Sequence, residues 1–173
     1  YDKIFAAADL ATLRGADQLP EVKELLKDPD SAVRYWGAVG ILNRGADAIK
    51  ASEKELLAAL QDDSSYVRIA AGYAFGKYGN QAQQRKGIDA LIAIAPWKKG
   101  ADVFVSMVAL NAIDKLDDKA GYALETIRAF PRSGGVSPNG RYNGYVARIL
   151  GKTIEDLGGG KQPGEKKKKK RKK

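Results

Sequence analysis

The stretch DPDSAVRYWGAVGILNRG spans residues 28–45, and a worn copy, DDSSYVRIAAGYAFGKYG, spans residues 62–79. The offset is 34 residues, and Asp, Ser, Val, Arg and a closing Gly recur in step. In the second copy the apolar positions are Val67, Ala70, Ala71, Ala74, Phe75 and Tyr78. That spacing is the stripe of a helix with one buried face. The same stripe falls on Val33, Trp36, Gly37, Gly40 and Ile41 one period earlier, which places Trp36 in the core. A shift forward by 38 places it on Val105, Val108, Ala109, Ala112, Ile113 and Leu116. Ala6, Ala7, Leu10 and Ala11, ahead of Gly15, carry a fourth version. Gly45 and Gly79 stand where such helices stop in a left-handed turn.

Each later copy is preceded by a shorter apolar segment: Val22-Leu25-Leu26, Leu56-Leu57-Leu60 and Ile88-Leu91-Ile92-Ala95. The turns between are DPDS and DDSS, in which Ser31 and Ser65, or the Asp residues before them, suit helix N-caps. The third turn, PWKKGAD, is longer and accounts for the shift from 34 to 38. The expected fold is therefore all α, with no strand pairing. Antiparallel helix pairs are expected at 20–27 with 32–44, 53–61 with 65–78 and 86–95 with 103–116. A helix–turn–helix unit at this period marks an α-solenoid, in which each unit completes its neighbour's core. A further short helix is expected at 120–130, then a loop over 132–140 and a last helix over 142–157. The domain boundary falls there: residues 1–157 form the repeat domain, its first repeat truncated, and 158–173 form a disordered Gly/Lys-rich tail.

The net charge of +9 is unevenly placed. Residues 161–173 hold nine basic residues and Glu165, a net +8, which leaves +1 on the other 160. The run Lys166, Lys167, Lys168, Lys169, Lys170, Arg171, Lys172 and Lys173 attracts polyanions weakly and without specificity. The near-neutral remainder argues against a groove lined for nucleic acid. The chain has no Cys and no His, so disulfides, thiolate sites and the commonest general base are excluded. No apolar run is long enough for a membrane-spanning helix. The first residue is Tyr1 and the single Met is Met107, so further chain is expected upstream.

Asp28 with Arg34 and Asp62 with Arg68 form D-x-x-x-x-V-R at the head of a helix, which resembles HEAT repeats. The resemblance implies a ladder in which Asp and Arg of neighbouring repeats pair, with Asp62 the partner of Arg34. Ser106 occupies the third Arg position, so the ladder ends there. VRYWGAVGILNRG, SYVRIAAGYAFGKYG, SMVALNAIDKL and GYVARILGKTIEDL together resemble the helical C-terminal region of bacterial sulfatases of the sulfoglucosamine-sulfohydrolase kind. That likeness, over residues 1–157, implies an upstream catalytic domain as partner and a periplasmic or secreted location. The family's C/S-x-P-x-R signature is absent from this chain. The reading is a non-enzymatic module without cofactor or metal, attached to a sulfatase-like hydrolase. A free-standing protein-binding scaffold is the alternative, and a nucleic-acid-binding solenoid the third.

Other features have bland explanations beside sharper ones. The loop GVSPNGRY at 135–142 has P-loop spacing, but Arg141 and Tyr142 replace Lys and Ser/Thr, Pro138 removes a donor and no strand precedes, so a plain connection is expected. Asp62-Asp63 and Asp117-Asp118 read as caps at helix ends rather than as acid/base pairs. Tyr35, Trp97, Lys98 and Lys99 are candidate contact residues, with Trp97 an exposed aromatic beside two cations.

Overall fold

The computed structural model describes residues 1–13 and 15–159, and those residues are all helical apart from their connections. The elements are α1 (Asp2–Leu13), α2 (Leu19–Leu25), α3 (Ser31–Asn43), α4 (Gly45–Ala51), α5 (Glu53–Ala59), α6 (Ser65–Tyr78) and α7 (Gln81–Ile94). They continue with α8 (Val103–Asp114), α9 (Leu124–Arg128) and α10 (Asn143–Ile154). Short 3₁₀ turns cover Ala16–Gln18, Asp117–Ala123 and Gly140–Tyr142, and a π turn, Glu155–Gly159, closes the described chain. No strand occurs among the described residues. One isolated parallel bridge joins Asp102 to Val136, the single departure from the expected absence of strand pairing.

α1, α3, α6, α8 and α10 touch in series, each packed on the next. The shorter helices lie against them: α2 on α3, α5 on α6, and α7 between α6 and α8. α7 leans chiefly on α6, the helix before it, rather than on α8 as expected. Glycines permit that contact. A Cβ on Gly72 would stand 2.9 Å from the Gly87 carbonyl oxygen, and one on Gly87 would reach 2.8 Å from Phe75 Cβ. The core falls into two clusters. Val22, Ile41, Ile49, Leu56, Val67 and Phe75 fill the first, and Ile88, Leu91, Leu110, Ile113, Ile127 and Leu150 the second.

Several local expectations are corrected. α4 was not foreseen; it is short, and Ala48 and Ile49 are its buried residues. α7 begins at Gln81 rather than 86, because Asn80 and Gln83 form a reciprocal capping box. Gly45 takes the left-handed conformation at φ 81°. Gly79 does not: its backbone is extended at φ −68°, ψ 164°. Glycine is needed there for room, since a Cβ would lie 2.6 Å from the Phe75 carbonyl oxygen. Asp30 caps α3 by accepting from the Ala32 amide, whereas the N-cap position of α6 is Ser64 rather than Ser65, and its side chain makes no capping hydrogen bond. Tyr78 and Val108, assigned to the buried stripe, are exposed. The 117–123 segment coils as 3₁₀ helix before α9 rather than as one continuous helix.

Candidate interaction surfaces

The turn before α6 holds the repeat's polar joint. Arg34 donates from Nε to Asp62 Oδ2 at 2.7 Å and from a terminal nitrogen to Asp62 Oδ1 at 2.9 Å, a two-pronged pair. Its other terminal nitrogen donates to the carbonyls of Asp28 and Pro29, both at 2.9 Å. Asp62 also accepts from the Ser64 amide at 2.8 Å. Both side chains are largely shielded from water. The Arg34 hydrogen bond, more than any other cause, holds the Asp62 carboxyl below the usual carboxylate range. One unit earlier, Asp28 accepts from the Asp30 amide and pairs with Lys3 at 2.5 Å, so a lysine of α1 fills the arginine's place. The Lys3 bond is likewise the chief reason the Asp28 carboxyl is lowered.

Arg68 repeats only half of this. It donates to the carbonyls of Asp62, at 2.5 Å, and Asp63, at 3.1 Å, and to Ser65 Oγ, all within its own unit. The expected pairing with a neighbouring repeat is therefore met at Arg34 and not at Arg68. The aspartate it needs is replaced by glycine at Gly100. Ser106, at the next Arg position, is fully buried, and its hydroxyl has no partner among the described residues.

The four candidate contact residues separate. Trp97, expected to be exposed, is 2% exposed and sits in the second core cluster. Gly135 lies directly on its indole, with no space for a side chain between them. Lys98 and Lys99 remain exposed on the same connection. Tyr35 is half-buried and meets Trp36 edge-on, with ring centroids 5.5 Å apart. Trp36 is itself half-buried rather than core, because it ends at the margin of α3 beside Ser64 and Tyr66. Next to Tyr35, a groove of about 270 Å³ runs across α3, α6 and α8. Its apolar lining includes Val39, Leu42, Tyr73 and Val108, with Lys115 at one edge. Sequence reasoning missed Tyr73, which lies beside the apolar stripe, and Val108, which periodicity placed on the stripe itself.

A second set of partly exposed rings gathers where α8 and α10 begin. Phe104 and Tyr142 meet edge-on at 5.1 Å, and Tyr142 and Tyr145 are 6.2 Å apart. The loop at 135–142 is a connection, as expected: Asn139 accepts from the Arg141 amide and opens a single 3₁₀ turn. Elsewhere the Tyr122 hydroxyl donates to Asp89 at 2.7 Å under the Arg85 guanidinium, and burial pushes its pKa up. The carboxylate pairs are not the caps expected of them. Asp62 serves the arginine pair, and Asp117 opens a 3₁₀ turn with no side-chain cap. Among the described residues no cluster of three or more acidic side chains could hold a metal ion. None of their helices is long and apolar enough to cross a membrane. The cationic run Lys166–Lys173 lies outside the described residues. No family model matches the chain, and no curated protein aligns with it significantly.

Proposed function

We propose that this chain is a non-catalytic helical-repeat module of the HEAT kind, whose work is to hold a protein partner. The observation that carries this is the shared register of the polar joints. Asp28 and Asp62 each accept an amide two residues on and a cation from the preceding unit, and Arg34 and Arg68 each bind the carbonyls five and six residues back. Equivalent bonds at equivalent positions support stacked copies of one unit, and the serial contact of α1, α3, α6, α8 and α10 supports a solenoid arrangement. The partner surface is the groove of Tyr35, Tyr73 and Val108. Its apolar lining and the lysine at its rim suit an apolar segment with acidic flanks.

The resemblance to sulfatase C-terminal regions makes the catalytic part of the same protein the first partner to test. The coding sequence upstream of Tyr1 is expected to carry C/S-x-P-x-R a few hundred residues earlier. Expressed separately, that catalytic part should bind this chain, and Val108→Glu should weaken the complex at least tenfold by titration calorimetry. The chain alone should give only background turnover of an aryl sulfate with calcium. Turnover above a denatured control rejects the non-catalytic reading; an upstream sequence without the motif rejects the attachment and leaves a free-standing scaffold.

A further inference from the structure

The near-zero charge of residues 1–160 conceals a local separation. From Thr126 to Ile154 there is no Asp or Glu, and Arg128, Arg132, Arg141, Arg148 and Lys152 all fall in that stretch. Arg128 and Lys152 are drawn into ion pairs with Glu125, Asp114 and Asp156, and Arg132 lies 3.4 Å from the Ala147 carbonyl. Arg141 and Arg148 are exposed and make no ion pair among the described residues. Each guanidinium instead stands over a ring, Arg141 at 5.2 Å from Tyr142 and Arg148 at 4.3 Å from Tyr145. Phe104 and Tyr145 are 37% and 39% exposed. Three rings in contact, two of them with a guanidinium over the ring, thus gather along one edge.

The backbone next to Phe104 in the chain is pinned to the loop that leads into α10. Val103 donates to the Val136 carbonyl at 2.9 Å and Val136 to the Ala101 carbonyl at 2.7 Å, which ties the connection bearing Lys98 and Lys99 to the one leading into α10. Trp97, buried against Gly135, belongs to the core cluster on which Tyr142 packs. Rings fixed in this way lose little freedom when a flat ligand stacks on them.

We infer that the Phe104–Tyr142–Tyr145 edge, with Arg141 and Arg148, binds single-stranded nucleic acid without sequence preference. The partly exposed rings and the guanidinium planes over them offer stacking surfaces to unpaired bases, and cations that no carboxylate neutralises accept the phosphates. A duplex hides its base faces and an acidic peptide has none. An anionic membrane surface favours a broad apolar helix face, which this edge lacks.

The test uses the full chain with residues 166–173 changed to Gln, so that the cationic run does not mask the edge. The probe is a fluorescein-labelled dT 12-mer, read by anisotropy at about 50 and 200 mM salt. Binding should persist and should exceed that of a blunt duplex of equal length. Tyr145→Ala and Arg148→Gln should each weaken it roughly fivefold or more, since a stacked base is worth about that much or more. Both side chains are exposed, so the thermal unfolding midpoint should not move. Loss of all binding in the Gln-substituted chain would overturn the inference. So would equal affinity in the Tyr145→Ala protein, or equal affinity for duplex, heparin or phosphatidylserine vesicles.

Discussion

Arg34 and Asp62 meet through two parallel hydrogen bonds in a shielded turn, and that geometry sets the cost of losing either partner. Arg34→Ala should destabilise the chain by about 1.5–3 kcal/mol, the range for hydrogen bonds to charged groups. Arg34→Lys should rescue only part of it, because an ammonium cannot reproduce the fork. Chemical denaturation of the single and double variants checks both expectations. The pair also gives stability a pH dependence. Asp62 titrates below its unfolded value of about 3.9 when folded, so its contribution is complete above that value. It is lost as pH falls through the lower folded value. Wild type should therefore lose stability below about pH 4 more steeply than Asp62→Asn. This pair was foreseen through the resemblance of the repeated D-x-x-x-x-V-R to HEAT repeats, which implies it, and not through spacing alone. Trp97 was not. Its burial is decided by Gly135, 38 positions further on, and nothing beside it in the chain announces that contact.

Helix-to-helix approach is governed by which glycines face another backbone. Gly87 lies against Gly72 and Phe75, so Gly87→Ala must separate α6 from α7 and should cost about 1–3 kcal/mol. Gly151, within α10, has open space around its Cβ position, and Gly151→Ala should stabilise by about 0.5–1 kcal/mol. Thermal melts of the two variants should move in opposite directions. The long helices were readable from periodicity: α3, α6 and α8 each begin within one residue of the expected position. Short elements were less so. α4 presents too few turns for a stripe to emerge, and α7's polar opening, QAQQRK, hides its first turns from any count of apolar residues. The signal for α7 was present in a different form, as Asn80 and Gln83 at capping-box spacing.

In the whole molecule, α1 buries few of its side chains, although it packs on α3 and its carbonyls accept hydrogen bonds from Asn43 and Arg44. Only Ala7 and Ala11 of that helix are buried, and Phe5 and Leu13 are 68% and 75% exposed. Its amides should exchange with solvent first, and those of α6, which touches α3, α7 and α8, last. Native-state hydrogen exchange followed by mass spectrometry checks the order, and uniform protection of both helices would reject it. The two core clusters meet along α6 and α7. The chain's two tryptophans stand on either side of that seam: Trp36 on α3, half in water, and Trp97 sealed in the second cluster. Each half consequently carries its own built-in fluorophore, one red-shifted and open to acrylamide, the other blue-shifted and protected from it. Denaturation can then be watched from both ends in a single unlabelled sample, and a lag between the two emissions would show one half melting while the other still stands.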